Sequence, residues 1–187
     1  STSDARGASI TESGNRLYLT GQFGGTVTFG GSNLVSAGNS DVFLVAMTID
    51  GVHLWSRGFG ASSFDTGAGV VAEGGGVFMT GYFQGTVDFG GGARVSAGSY
   101  DVIVARYDYA AGAHVWSTRY GSTGFDQGLA IALDAFNDVH VAGNFSATVN
   151  FGGTPLVSAG LSDTFIAKYN SGGVHVWSKG AGSTSND

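Results

Sequence analysis

One sequence unit occurs three times along this chain, and the repetition limits the folds that it can adopt. Each copy contains the run H-[LV]-W-S, whose tryptophans are Trp55, Trp116 and Trp177, spaced 61 and 61 residues apart. Repeats of this length usually form one supersecondary unit each and bury their core between neighbouring units. We therefore predict three successive copies of one unit. Their approximate bounds are residues 4–64, 65–125 and 126–187.

Two further strings keep their order within every copy. The string T-V-x-F-G-G occupies residues 26–31, 86–91 and 148–153. The string S-A-G-x-x-D occupies residues 36–41, 96–101 and 158–163. Because these landmarks recur in the same order as the tryptophans, we expect the same backbone in each copy, with the small length differences confined to turns.

Each copy contains four stretches with the pattern of β-strands and none with a helical period. The first stretch is rich in small residues, the second alternates, the third is apolar and β-branched, and the fourth carries the tryptophan. In the first copy they begin at Gly7, Leu17, Val42 and Val52. A longer excursion separates the second stretch from the third. It holds T-V-x-F-G-G and S-A-G, and we expect a small hairpin or an ordered loop there.

Four antiparallel strands repeated in tandem describe the blades of a β-propeller, so the fold class we predict is all-β with three propeller blades. The composition supports this prediction, because 34 of the 187 residues are glycine. Small residues in the first strand suit the crowded axis of a propeller, and the repeated aromatic residues suit the wider space between blades. A β-trefoil also has three copies of four strands and is the alternative fold.

The repeat resembles a known family. The pattern G-x-F-x-G-T-V-x-F-G-G, followed by S-A-G-x-x-D and G-x-H-V-W-S, is similar to the bacterial SBBP-type β-propeller repeat. The resemblance covers all three copies, with Ala147 in place of a glycine and Pro155 in the third excursion as departures. Such repeats occur in large, often secreted or surface-attached bacterial proteins, mostly without an assigned activity. The resemblance therefore implies a propeller at an extracellular or cell-surface location and implies no particular ligand.

Three blades are too few for a closed ring, because propellers typically close with about four to eight blades. An open array exposes an apolar blade face at each end, which favours association. Either two chains combine head-to-tail as a six-bladed homodimer, or the chain is a piece of a longer propeller. A nine-bladed trimer is a variant of the first outcome. We therefore predict that the main partner of this chain is a second copy of itself.

Composition and motifs argue against several other functions. The net charge of −6 without a basic cluster argues against nucleic acid or anionic lipid as the main partner. No apolar run is long enough to insert into a membrane, and the absence of cysteine excludes disulfides and cysteine-based zinc sites. The polar landmarks occur three times, whereas a catalytic centre is one asymmetric constellation. We therefore predict a non-enzymatic protein without a cofactor.

The repeated histidines His53, His114 and His175 suggest a metal, because three imidazoles are a common zinc set. The two-residue period of a strand predicts that each histidine shares a face with the tryptophan beside it. The fourth strand of a blade is normally outermost, so the three histidines are expected to diverge. We therefore expect each of them to pack or hydrogen-bond within its own blade, without forming a metal site.

The aspartates of the S-A-G-x-x-D string, Asp41, Asp101 and Asp163, each follow a turn and open the third strand. An aspartate at such a position accepts backbone N–H groups and fixes the turn. We expect that structural role, with calcium binding as the alternative. A second series opens the first strand in the same way, at Asp4, Asp65, Asp126 and Asp187.

One alternative function starts from the phenylalanines of the T-V-x-F-G-G string, Phe29, Phe89 and Phe151. An aromatic ring in each excursion could stack on the C–H surface of a sugar. The chain would then be a multivalent lectin with one equivalent site per blade, and its partner would be a glycan or a protein ligand.

Overall fold

The computed structural model describes residues 4–184, which form eighteen β-strands and contain no helix that could cross a membrane. The first copy contains β1 (Ala5–Ser13), β2 (Arg16–Phe23), β3 (Thr26–Val27), β4 (Leu34–Val35), β5 (Asp41–Thr48) and β6 (His53–Phe59). The second copy contains β7 (Thr66–Glu73), β8 (Gly76–Phe83), β9 (Thr86–Asp88), β10 (Ala93–Val95), β11 (Asp101–Asp108) and β12 (His114–Tyr120). The third copy contains β13 (Gln127–Leu133), β14 (Val139–Phe145), β15 (Thr148–Val149), β16 (Leu156–Val157), β17 (Asp163–Tyr169) and β18 (His175–Ala181).

Each copy builds one four-stranded antiparallel sheet. The strand orders are β1-β2-β5-β6, β7-β8-β11-β12 and β13-β14-β17-β18. The two remaining strands of each copy pair with each other as a separate short hairpin. The all-β prediction of three tandem four-stranded blades is therefore confirmed, and the excursion is the small hairpin that its alternation suggested.

The three sheets are arranged so that their first strands are neighbours. Strand β1 packs beside β7, and β7 packs beside β13, while the tryptophan-bearing strands β6, β12 and β18 form the outer edges. Within residues 4–184 every ladder of paired strands stays inside one copy. Each copy is thus a blade, with its glycine-rich strand on the inside.

The hydrophobic core lies between the blades, because a sheet with an apolar face must bury it against another layer. At the first junction Tyr18 and Leu44 of the first blade pack in one buried cluster with Met79 and Tyr107 of the second. At the second junction Val104 belongs to a cluster made largely of side chains from the third blade. The blade-to-blade junction is therefore the stabilising unit of this fold.

The innermost strand must be narrow because the neighbouring blade approaches it closely. In β7 a β-bulge lies between Gly67 and Gly69. A Cβ added to Gly67 would overlap the Oγ1 atom of Thr20 in the first blade, and Thr20 itself donates a hydrogen bond of 2.8 Å to the Phe43 carbonyl. The second junction repeats this contact between Gly128 and Thr80.

We predict that Gly67→Ala lowers the free energy of unfolding by about 1–3 kcal/mol, which is typical of overpacking at a tight contact. Gly58→Ala is the control. Gly58 lies in β6, and a Cβ there meets atoms of its own blade only, at 3.4 Å or more. Urea unfolding at one fixed protein concentration measures both variants. Equal losses for the two variants would contradict the proposed role of blade contact.

Candidate functional site

The repeated histidines and tryptophans lie on opposite faces of their strands. In the first blade Trp55 pairs with Ala46 while His53 pairs with Met47, and these two partners are adjacent residues of β5. A β-bulge between the pairs adds one residue to β6 and reverses the alternation. The prediction of a shared face was therefore wrong. The same bulge recurs in the fourth strand of the other two blades.

Each histidine contacts the small hairpin of its own blade. The Nε2 atom of His53 lies 3.2 Å from Oγ of Ser56, and its ring lies directly against Gly31 of the β3–β4 turn. The equivalent distances are 3.1 Å for His114 and 3.2 Å for His175. Burial lowers the pKa of His114. Across residues 4–184 no group of three or more His, Cys, Asp or Glu side chains is placed to hold a metal ion.

The tryptophans face the next blade. Trp55 is buried and lies against Gly112, which belongs to the β11–β12 turn of the second blade. Trp116 lies against Gly173 of the third blade in the same way, and its Nε1 atom donates to the Ser171 carbonyl at 3.1 Å. Trp177 is half-buried at the edge of the last blade and lines a surface cavity of about 490 Å³.

The aspartates of the S-A-G-x-x-D string are all buried and all hold the turn before them. The Oδ2 atoms accept the backbone N–H groups of Ala37, Ala97 and Ala159, at 2.9, 3.0 and 2.7 Å respectively. Asp101 also forms an ion pair with Arg119. Glycines occupy the position of Arg119 in the other two blades, at Gly58 and Gly180.

Asp65 and Asp126 connect successive blades. The Asp65 carboxylate accepts the N–H of Ala61 from the first blade at 2.9 Å and the N–H of Gln84 from the second blade at 3.0 Å. Asp126 does the same with Ser122 and Ser146. Both aspartates are fully buried, so they fix the crossing of the chain from one sheet to the next.

Asp4 does not fix a chain crossing, and the prediction that it is equivalent to Asp65 and Asp126 was wrong. Arg6 pairs with Gln22 where Thr66 pairs with Tyr82, so Ala5 rather than Asp4 is the structural counterpart of Asp65. The Asp4 side chain is exposed and lies 3.6 Å from Arg6. The fourth member of the series, Asp187, lies outside the described residues.

The buried junction aspartate predicts a pH dependence of stability. Burial raises the pKa of Asp65 from 3.8 to about 6, although its two backbone donors act in the opposite direction. The folded chain therefore binds this proton more tightly than the unfolded chain does. Its contribution to the free energy of unfolding falls as the pH rises from about 4 to about 6, by at most about 1.4 kcal/mol per pH unit, and is constant at higher pH.

We expect Asp65→Asn to reduce the slope of this part of the stability profile, measured by urea unfolding between pH 4 and pH 7. Burial also raises the pKa of Asp126, so part of the slope remains. Glu73→Gln removes an exposed carboxylate of the same blade and controls for the change in net charge. An unchanged slope in Asp65→Asn would show that the proton binds elsewhere.

The phenylalanines of the hairpins pack inward. Phe89 and Phe151 have no exposed surface, and Phe29 is half-buried. The ring centroid of Phe151 lies 4.2 Å from that of Phe165, and the centroid of Phe29 lies 4.8 Å from that of Phe43. A fully buried ring has no face to offer a sugar. Phe89 and Phe151 therefore do not offer the stacking surface that the lectin alternative requires, and their rings anchor the hairpin to the blade.

The sequence analysis predicted an exposed apolar face at each end of the array but did not identify the residues that form it. On the first blade Ile10 is 60% exposed, whereas its counterpart Val70 at the first junction is 2% exposed. On the third blade Ile166 is 40% exposed, whereas its counterpart Leu44 is fully buried. We call these surfaces the leading face of blade one and the trailing face of blade three. The strand alignment alone could have located them.

The trailing face also carries a polar cluster that the other copies lack. Asp134 lies 2.8 Å from Nζ of Lys168 and 3.3 Å from Nε2 of His140, and Asp138 lies 2.9 Å from the same lysine. The hydrogen bond from Lys168 holds the pKa of Asp134 well below its usual range. The charges are paired among themselves, and the cluster fixes a turn whose tip residue, Phe136, is 82% exposed.

Comparison of the sequence with protein-family models finds no match, and comparison with curated proteins finds no relative.

Proposed function

We propose that this protein is a non-enzymatic β-propeller module that closes into a six-bladed ring with a second copy of itself. The observation that carries the proposal is the exposure, on the two end faces, of apolar positions that are covered at the inner junctions. The position of Ile166 on the trailing face is buried at both inner junctions, as Leu44 and Val104. The position of Ile10 on the leading face is buried at the first junction, as Val70, and half-buried at the second, as Ile131.

The inner junctions supply the template for the missing contact. Thr20 and Thr80 each lie against a glycine of the next innermost strand. The corresponding pair at the open ends is Ala142 on the trailing face and Gly7 on the leading face, and the space around Gly7 is empty. A second chain placed as the next blade fills that space with the same kind of small-residue contact.

Head-to-tail contact of this kind joins different surfaces, and such contacts form closed rings when the rotation closes. Two chains of three blades give six blades, which lies within the usual range of propellers. Burying one large aliphatic side chain contributes about 1.5–3 kcal/mol. A dimer has two such junctions and leaves neither end face open.

The resemblance of the repeat to SBBP-type propellers supports the same proposal and adds its setting. We infer an extracellular or cell-surface location on a bacterium, where the ring acts as a scaffold or interaction surface. The triplication of nearly every polar landmark favours architecture over catalysis.

We expect light scattering to give about twice the chain mass of 18.9 kDa at micromolar concentration. Ile166→Asp places a charge in the proposed junction, and we expect it to yield a folded species of single-chain mass. Val176→Asp is the control. Val176 is 51% exposed, and its counterpart Val115 at the second junction is 50% exposed, so this position faces solvent in either state.

A stable wild-type species of single-chain mass would overturn the proposal. Three times the chain mass would replace the six-bladed ring with a nine-bladed one.

A further inference from the structure

Both inner junctions contain the same contact, in which a tryptophan of one blade packs on a glycine turn of the next. At the open ends the third blade carries the tryptophan and the first blade carries the turn. We propose that the indole of Trp177 packs on the turn of residues 49–52 from a second copy, with Lys179 bound to Asp50. This inference rests on the proposed ring and specifies its contact residues.

At the first junction a tryptophan packs on a glycine turn. Gly112 has a φ of 62°, and a Cβ on it would overlap the indole of Trp55. Arg57, two residues after the tryptophan, donates to the carbonyls of Gly112 and Ala111 at 3.1 and 3.0 Å. The turn is thus held by an aromatic surface and by a cation.

At the second junction the arrangement recurs with a different cation. Gly173 has a φ of 83° and lies against Trp116, whose Nε1 atom donates to the Ser171 carbonyl. Arg106 donates to the same carbonyl at 3.1 Å. Both inner junctions therefore use a tryptophan, a positive-φ glycine and an arginine.

The open ends carry the same parts. Trp177 and Lys179 occupy the strand positions of Trp55 and Arg57. Gly51 has a φ of 82°, and a Cβ on it would meet no atom within 4 Å. Gly51 thus has the backbone conformation of Gly112 and Gly173 but no tryptophan against it, and it matches the unpaired Trp177.

The charges favour the turn of a second copy of this chain as the partner of Trp177 and Lys179. The residue before the turn glycine is Ala111 in the second copy and Gly172 in the third, but Asp50 in the first. The residue two positions after the tryptophan is Lys179 in the third copy. The acidic turn of the first blade and the exposed Lys179 of the third blade therefore lie on the two end surfaces that have no neighbouring blade within one chain. Ile49, beside Asp50, is 51% exposed and adds apolar surface to the same turn.

The first test adds a side chain to the turn without changing its backbone. Gly51→Asn should weaken association at least about tenfold, measured by sedimentation velocity over a concentration series. Asparagine tolerates a positive φ, so the isolated chain should remain folded, which circular dichroism checks.

The matched control is Gly85→Asn. Gly85 has a φ of 86° and equally empty surroundings, and the third blade carries Ala147 with a φ of 54° at its position. Its association constant should equal that of the wild type.

The second test exchanges the charges. Lys179→Asp and Asp50→Lys should each weaken association several-fold, and the effect should shrink at high salt because exposed ion pairs are screened. The double variant should return to within about threefold of the wild-type dissociation constant, because it restores an opposite-charge pair.

The outcomes separate this inference from the ring itself. If the wild type is a single chain, both proposals fall. If the wild type associates but Gly51→Asn behaves like Gly85→Asn, or the double charge variant is weaker than both single variants, the ring stands and the assigned contact is wrong.

Discussion

The packing of one blade's apolar face against the next is the interaction on which the rest of this structure depends. A single four-stranded sheet has two apolar faces here and cannot bury either of them alone. The second blade is covered on both sides, and its central strand β11 is almost completely buried. The first and third blades are covered on one side each. Stability is therefore shared between neighbours, as in other repeat proteins.

The sequence predicted the parts of the fold that follow from periodicity. The copies, the four strands of each blade, the inner position of the glycine-rich strand and the extra hairpin all depend on patterns that recur three times. Recurrence makes a pattern visible above the variation of single residues. It also locates the end faces, once the counterparts of the buried junction residues are aligned.

Local irregularities of the backbone were beyond that reasoning. The bulge that separates His53 from Trp55 adds one residue that spacing alone cannot distinguish from regular strand. The alignment at Asp4 failed for a similar reason, because a difference of one residue moved the aspartate out of the turn-fixing position. The burial of Phe89 depends on how its hairpin folds back onto the blade, and that is a tertiary contact without a local signal.

The bulge in each fourth strand also has a consequence for how such a protein can change. It assigns the histidine to contacts inside a blade and the tryptophan to contacts between blades, within three residues of chain. Substitutions that retune the fit between neighbours can therefore accumulate on one side of the strand while the hairpin anchor on the other side is preserved. A repeat built in this way can be duplicated, and its copies can diverge in the contacts between blades while each copy keeps the contacts that fold its own blade.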